Sequence, residues 1–320
     1  IPLTFDGVKI TPWGMLAGIG PNADRVGEDY FAGSDSDVWG TSIGKFRQGM
    51  LPAFGVVGSD GRTVHDIKLS EYGTAWWAGV TGDITYWDPF RVAFDFTAGG
   101  VSYDESRLNR AGWMAALLVE YKFDWGTPGI VGWYASGDDD DLGNGSERLP
   151  TLSTGMSDND LSHFAFDGNP YIAREGILGS TMVGTWGVGV RLKDVSFLED
   201  LKHTLRVNFM GGTNAPKMAK YVRGAAEKPG TFVSGPAAPY YDGAYDPIYL
   251  TTEDYALEIG LTNTYKMYDN FTIMLDAAYI AMWLDDSRST WGKNPMSGFT
   301  GRDGGTYDAW NVNLSFVSSF

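Results

Sequence analysis

The final stretch of the chain, residues 309–320, alternates between two kinds of side chain. Its even positions are mainly apolar and its odd positions mainly small or polar: Trp310, Val312, Leu314, Phe316, Ser318 and Phe320 against Ala309, Asn311, Asn313, Ser315, Val317 and Ser319. Because side chains of a strand point alternately to opposite faces, this period of two predicts a β-strand. The closing strand of a transmembrane barrel has this form, with its apolar face towards lipid, its polar face towards a watery lumen and an aromatic ring at the interface.

The hydropathy of the chain narrows the ways in which it could enter a membrane. Mean hydropathy is −0.19, and the longest apolar run with helical character covers only residues 114–119. A spanning helix needs about 20 apolar residues. Because every backbone N–H and C=O must be paired inside lipid, only a closed β-barrel remains. We therefore expect residues 1–320 to form a single barrel domain.

Charge and cysteine content exclude several classes of function. The net charge of −16 argues against nucleic acid, whose phosphates would be repelled. The chain has no cysteine, which removes disulfides, thiolate nucleophiles and Cys-ligated metals together. An acidic excess of this kind commonly keeps a surface solvated.

Alternating segments recur along most of the chain and predict an all-β transmembrane antiparallel β-barrel of about 10–12 strands. The predicted strands cover residues 8–19 (with a bulge at Pro12), 74–86, 90–98, 111–123, 130–136, 182–192, 205–209, 254–261, 271–283 and 307–320. Short turns are expected at 87–89, 124–129, 194–203 (with one helical turn) and 266–270, and long loops at 137–178, 211–249 and 285–306. Residues 38–69 give no assignment. Short turns alternate with long loops, and aromatic residues cluster near strand ends. Both features are typical of outer-membrane barrels.

Several segments resemble the outer-membrane homotrimeric porins of sulfate-reducing bacteria. They are residues 110–113 (RAGW), 120–130 (EYKFDWGTPGI), 144–150 (NGSERLP), 184–190 (GTWGVGV), 196–203 (SFLEDLKH), 211–214 (GGTN), 218–221 (MAKY), 249–252 (YLTT) and 264–270 (TYKMYDN). The resemblance covers most of the chain and is specific mainly after residue 70. It implies a homotrimer in the bacterial outer membrane, surrounded by lipid and lipopolysaccharide.

The resemblance also leaves the strand number open. Members of that family carry further strands ahead of the stretch that resembles residues 3–20. Two alternatives follow: a barrel that lacks an amino-terminal part, or a shorter relative that closes without it.

Charged residues on the polar face of the strands are the candidate pore-lining residues. They are Arg91, Asp95, Glu120, Lys122, Arg191, Arg206, Glu258 and Asp276. A charge facing lipid at mid-membrane costs roughly 2–4 kcal/mol, so the lumen is the favourable side. The alternative is that these residues form salt bridges that stiffen the wall. Arg191 and Arg206 fall on consecutive predicted strands, where they could stand side by side as a small basic ladder.

The function expected from these observations is a passive channel for ions and small hydrophilic solutes, narrowed by inward folding of the loop 137–178. The rival function is a barrel enzyme of phospholipase type, which needs a base held beside a nucleophile. The three histidines His65, His163 and His203 are scattered and mark no such site, so no enzyme activity is expected. No cofactor is expected either, although the acidic run at residues 138–141 leaves Ca²⁺ binding open beside a solvated loop.

Overall fold

The computed structural model describes residues 2–19, 56–57, 63–64, 72–104, 106, 109–141, 143–151, 162, 182–218, 250–287, 289–290 and 308–319. The strands are β1 (Leu3–Phe5), β2 (Val8–Ile19), β3 (Val56–Val57), β4 (Thr63–Val64), β5 (Gly73–Ile84), β6 (Phe90–Ser102), β7 (Arg110–Tyr121), β8 (Thr127–Ala135), β9 (Thr185–Leu198), β10 (Leu201–Gly212), β11 (Tyr255–Tyr268), β12 (Phe271–Trp283) and β13 (Ala309–Ser318). Within these residues, no helix is long and apolar enough to cross a membrane.

Eleven of the strands form one antiparallel meander, in the order β1-β2-β5-β6-β7-β8-β9-β10-β11-β12-β13, and β3 pairs separately with β4. The antiparallel all-β fold expected from the sequence is confirmed. The short strand β1 and the last strand β13 are the two edges of the sheet, and the described residues record no pairing between them.

Two local expectations from the sequence are wrong. The predicted bulge at Pro12 does not occur, since β2 keeps an unbroken register with β5 and places Pro12 opposite Val80. β1 reaches only to Ile10, so β2 is an edge strand at Pro12, where a proline is tolerated. The predicted helical turn in residues 194–203 is also absent, because β9 continues to Leu198 and a two-residue turn leads into β10.

The two ends of the sheet differ in their connections. One end, which we call the turn end, carries the short connections at residues 6–7, 85–89, 122–126, 199–200 and 269–270. The opposite end, the loop end, carries the longer connections, as the sequence predicts. The turn between β9 and β10 is tight because Asp200 has a positive φ of 63°, a conformation that aspartate adopts more readily than most residues.

The two faces of the sheet differ more sharply than its ends. On the outer face, large apolar side chains stand exposed on every strand from β7 to β13: Leu117, Ile130, Val190, Leu205, Ile259, Leu275 and Leu314. On the inner face, charged and polar side chains are buried, including Glu120, Arg191, Arg206, Asn208, Glu258 and Asp276. This distribution is the reverse of a water-soluble sheet, which buries its apolar face.

The buried apolar residues also lie on the inner face, nearer the loop end. One cluster is built from Val131, Trp133, Met210, Leu250, Ala256, Ala278, Ile280 and Met282, and a second from Ala75, Trp77, Val101, Leu149 and Val183. Leu149, Val183 and Leu250 belong to loops, so the loops themselves pack against the inner face. The core of the protein is therefore formed between the inner wall and segments folded over it.

Candidate functional site

A row of charged residues crosses the inner face at one level. The strand register places Arg91 beside Glu120, Glu120 beside Gly129, Gly129 beside Arg191, and Arg191 beside Arg206. Neighbouring strands lie about 4.8 Å apart, so these residues are direct neighbours across five strands. The basic ladder of Arg191 and Arg206 that the sequence suggests is confirmed by this register. We call Arg91, Glu120, Arg191 and Arg206, together with the nearby Asp83, Glu258 and Asp276, the charge row.

Ion pairs connect the first part of the charge row. Arg91 contacts Asp83 at 2.8 Å and Glu120 at 2.9 Å, and Arg191 contacts the other oxygen of Glu120 at 2.5 Å. The last contact passes over β8, which has glycine at that level. A Cβ at Gly129 would lie only 2.9 Å from Glu120 Cγ, so any larger residue would clash with the Glu120 side chain. Gly129 thus leaves the space through which Arg191 reaches Glu120.

The second part of the charge row is enclosed by neutral partners and by a loop. Arg206 donates to Thr262 Oγ1 at 2.9 Å. Glu258 stands opposite Asn208, and the hydroxyl of Ser162, from the long loop after β8, donates to its carboxylate. Asp276 faces Thr262 on one side and Asn313 on the other and is 1% exposed.

Two candidate residues complete the set proposed from the sequence. Asp95 lies on the inner face of β6, half-buried, and accepts a hydrogen bond from Thr97 Oγ1 at 3.0 Å. Lys122 lies just beyond the end of β7, exposed in a turn-end connection, and its backbone N–H donates to Pro89 O at 3.0 Å. Lys122 is therefore separated from the other seven candidates, which share the inner face.

Exposure to water divides the charge row. The side chains of Asp83 and Arg91 are 40% and 43% exposed, whereas those of Glu120 and Arg191 are 6% and 9% exposed. Arg206, Glu258 and Asp276 are also buried. Water therefore reaches the inner face of β5 and β6 at Asp83 and Arg91, while the charged residues of β9–β12 are covered.

The connection after β8 lies across the inner face at the loop end. Arg110 donates to the carbonyl oxygens of Arg148 at 3.0 Å and Leu149 at 2.8 Å. The indole of Trp77 donates to Pro150 O at 2.7 Å. These side chains come from β7 and β5, so two wall strands hold the same short segment of loop.

Asn214 joins both ends of two connections at the loop end, β8–β9 and β10–β11. Its Oδ1 accepts the Asp138 N–H at 2.9 Å, and its Nδ2 donates to Leu250 O at 2.6 Å and to Gly184 O at 3.2 Å. Its own carbonyl accepts the Thr252 N–H at 2.9 Å. A single amide side chain thus ties the loops after β8 and β10 to the residues that precede β9 and β11.

The acidic run at residues 138–141 is organised mainly by bonds within the loop. Asp139 and Asp141 accept backbone N–H groups two residues further on, at 2.7 and 2.8 Å, and Lys217 contacts Asp140 at 3.1 Å. Burial raises the pKa of the neighbouring Glu147 carboxyl, and the Asp139 N–H that it accepts acts in the opposite direction. Over the described ranges, no group of three acidic or histidine side chains is arranged to hold a metal ion.

His203 is the one histidine among the described residues, since His65 and His163 lie outside them. It faces outward on β10, where Nδ1 is 2.6 Å from Asn263 Oδ1 on the neighbouring strand. Asn263 therefore fixes the orientation of the imidazole ring on the apolar face.

Some of these residues were missed by sequence reasoning. Asp83 shares the parity of the inner face of β5, so the alternation of that strand could have revealed it. Ser162 and Asn214 carry no periodic signal, because their roles come from contacts with strands or loops that are distant in sequence. Arg110 has the inward parity of β7, but its partners in the loop are distant in sequence as well.

Comparison with models of known protein families gives no match to this chain, and neither does comparison with curated proteins.

Proposed function

We propose that this protein is a passive channel of the bacterial outer membrane, an antiparallel β-barrel that conducts ions and small hydrophilic solutes. The observation that carries the proposal is the reversed distribution of side chains on the sheet. Apolar residues such as Ile130, at 60% exposed, face outward, while Glu258, at 0% exposed, faces inward. Lipid is the solvent that favours the first arrangement, and a polar lumen favours the second.

The outer face also has the band expected at a lipid bilayer. Exposed aromatic residues lie near the loop end (Trp76, Trp113, Tyr134, Tyr255, Trp283 and Trp310) and near the turn end (Tyr86, Phe90, Phe123, Trp125, Tyr265 and Tyr268). Tyr255 and Tyr265 are ten residues apart on β11, a span of about 33 Å along a strand. With the tilt of about 40° that is usual in such barrels, the span across the membrane is about 25 Å, which matches the apolar band of outer-membrane proteins.

The inner wall supports a channel that is narrowed from the loop end. The segment that contains Leu149 and Pro150 lies on the inner face, and Ser162 reaches Glu258 on β11. Asp83 and Arg91 remain in contact with water. We therefore place the conducting path past this ion pair on β5 and β6, with the loop held at the loop end by Trp77 and over β11 by Ser162.

A membrane barrel needs every strand edge paired, since unpaired backbone groups are unfavourable in lipid. The proposal therefore requires β1 and β13 to be paired, either with one another or with further strands. The resemblance to homotrimeric porins supports an assembly of three copies, with lipid and lipopolysaccharide around it.

The proposal is tested by reconstituting the purified protein in planar lipid bilayers and recording single-channel currents. We expect stable conductance steps, together with a heat-sensitive shift in gel migration that is characteristic of folded barrels. A protein that stays soluble without detergent and gives no conductance would refute the proposal.

The phospholipase alternative has one observation in its favour, the imidazole of His203 held by Asn263 on the outer face. A catalytic base oriented by a third group is part of such a site, but a nucleophile beside the base is also needed. Leu205, the next outward residue on β10, offers none. Hydrolysis of phospholipid that disappears in His203→Ala would favour this alternative.

A further inference from the structure

An aromatic side chain of β2 faces the inner side of the sheet, two inward positions from Asp83 of the charge row. Trp13 pairs with Gly79 of β5, and Gly79 has the same parity as Ala75 and Trp77, which are buried on the inner face. A Cβ at Gly79 would lie 2.8 Å from Trp13 Nε1, so the indole rests on this glycine. Trp13 therefore points inward, although it belongs to an edge strand.

The indole of Trp13 remains in contact with water. Trp13 is 38% exposed, and Met15, the next inward residue on β2, is 36% exposed. Indole has a large apolar face, and its exposure in a polar lumen is unfavourable unless something covers it. Trp77 on the adjacent strand has a different environment: it is 5% exposed and its indole donates to Pro150 O.

Hydrogen-bonding groups lie beside the exposed ring. Thr97 stands opposite Gly79 on the side away from Trp13, and Asp95 is the next inward residue of β6. Thr81 lies opposite Asp95, one inward position from Gly79. Inward positions on one strand are about 6.6 Å apart, roughly the width of a six-membered sugar ring. Asp83 lies one further inward step towards the turn end, and its partner Arg91 lies two inward steps beyond Asp95.

We infer that Trp13, Gly79, Asp95 and Thr97 form a binding site for a pyranose sugar in the lumen. A pyranose ring has an apolar face of C–H groups that covers an indole and a rim of hydroxyls that donate to a carboxylate. Binding sites for small molecules commonly combine an apolar surface with a few placed polar groups. Hydroxyl donors to an ionised acceptor such as Asp95 form stronger hydrogen bonds than neutral pairs.

The chemistry of the site favours a ring over an open chain. An open-chain polyol offers the same hydroxyls but no rigid apolar face for Trp13. The inference rests on the proposed channel function, because a solute reaches Trp13 through the lumen. It adds that the channel retains ring sugars during passage and does not merely sieve by size.

The test uses ion current through single channels of the full-length protein in planar bilayers. Methyl β-D-glucopyranoside is the ring probe, and D-sorbitol is the open-chain control with the same six-carbon skeleton as the glucose unit. We expect the glucoside to interrupt the current at concentrations where sorbitol does not. In Trp13→Leu the half-blocking concentration should rise about tenfold, equivalent to about 1.4 kcal/mol. Trp13→Phe, which keeps an aromatic face, should stay within about threefold of the original protein.

Trp113→Leu is the matched control, since it makes the same chemical change at an exposed tryptophan of the outer face. Its glucoside block should equal that of the unchanged protein. If Trp13→Leu does not insert, Asp95→Asn replaces it and should weaken the block because it removes the charged acceptor of the sugar hydroxyls.

The outcomes separate this inference from the proposed function. A protein without conductance refutes the channel. A conducting channel that glucoside and sorbitol affect equally overturns the sugar site alone, because Trp13 is then covered by another part of the chain or by a second copy. The sugar site is also overturned if the glucoside blocks Trp13→Leu, or Asp95→Asn where that variant is used, as strongly as it blocks the unchanged protein.

Discussion

The inner wall of the sheet has two halves that use charge differently. In the β9–β12 half, Arg191, Arg206, Glu258 and Asp276 are buried. In the β5–β6 half, Asp83 and Arg91 are each about two-fifths exposed to water. Charges of the first kind are strongly coupled, because they have little water around them, whereas charges of the second kind are screened. The same residue types are therefore buried in the wall in one half and exposed to water in the other.

The largest expected difference between the halves is in stability. Glu120 lies at their boundary, 6% exposed and in contact with Arg191 at 2.5 Å. We expect Glu120→Gln to lower the free energy of unfolding by about 3–5 kcal/mol, the range for breaking a buried ion pair. The measurement is denaturant unfolding of the protein in lipid vesicles, followed by tryptophan fluorescence.

Asp83→Asn is the control in the exposed half. Both partners of the Asp83–Arg91 pair are well exposed, so the expected loss is about 1 kcal/mol or less. Equal losses in the two variants would contradict the division of the wall into a covered and an exposed half.

The second prediction concerns the two faces on which this comparison depends. Leu314 is exposed on the outer face of β13, and Asn313 lies half-buried on the inner face. If the outer face meets lipid, we expect Leu314→Arg to lower the free energy of unfolding in the membrane by about 2–4 kcal/mol. Asn313→Arg should lower it by much less. The yield of folded, heat-modifiable protein measures both. A sheet with a soluble environment on its outer face would tolerate Leu314→Arg at least as well as Asn313→Arg.

The third prediction concerns the cover of the buried half. Ser162 donates to Glu258, and removing a hydrogen bond to a charged group costs about 1.5–3 kcal/mol. Glu258 has further interactions, so we expect the loss of stability in Ser162→Ala to be near the lower end of this range. Faster cleavage of this loop by protease in the folded protein measures the effect. An unchanged cleavage rate would mean that Ser162 does not hold the loop on the wall.

The faces of the strands could be predicted from the sequence, but most contacts of the candidate site could not. Alternation alone assigns Leu314 outward and Asn313 inward, because a strand has a fixed period of two. The same parity places Arg191 and Arg206 on one face, and only the short turn between β9 and β10 makes them neighbours. Whether such a charge is exposed to water depends on which residues cover it. Ser162 covers Glu258 from a loop whose sequence has no alternation of apolar and polar residues.

The errors in the sequence analysis have a related cause. Phe197, Leu198 and Leu201 have helix-like spacing, which suggested a helical turn between β9 and β10. The register in fact shifts between Leu201 and Leu205, and Asp194 adopts a positive φ of 57°. Such an irregularity lets the apolar side chains leave strict alternation without forming a helix.

The smallest expected effect, on ion selectivity, distinguishes the halves most directly. Arg191 and Arg206 are buried, whereas Arg91 is exposed, so Arg91 is the better candidate for setting the selectivity. Arg91 stands between Asp83 and Glu120, so Arg91→Gln leaves two carboxylates beside the proposed path. We expect its reversal potential in a salt gradient to shift towards cations at low ionic strength, and the shift to shrink at about 1 M salt, where charges are screened within about 3 Å. Arg206→Gln removes the same charge from the covered half, where Arg206 is 4% exposed, and should leave the reversal potential unchanged. A larger shift in Arg206→Gln than in Arg91→Gln would move the conducting path to the β9–β12 half of the wall.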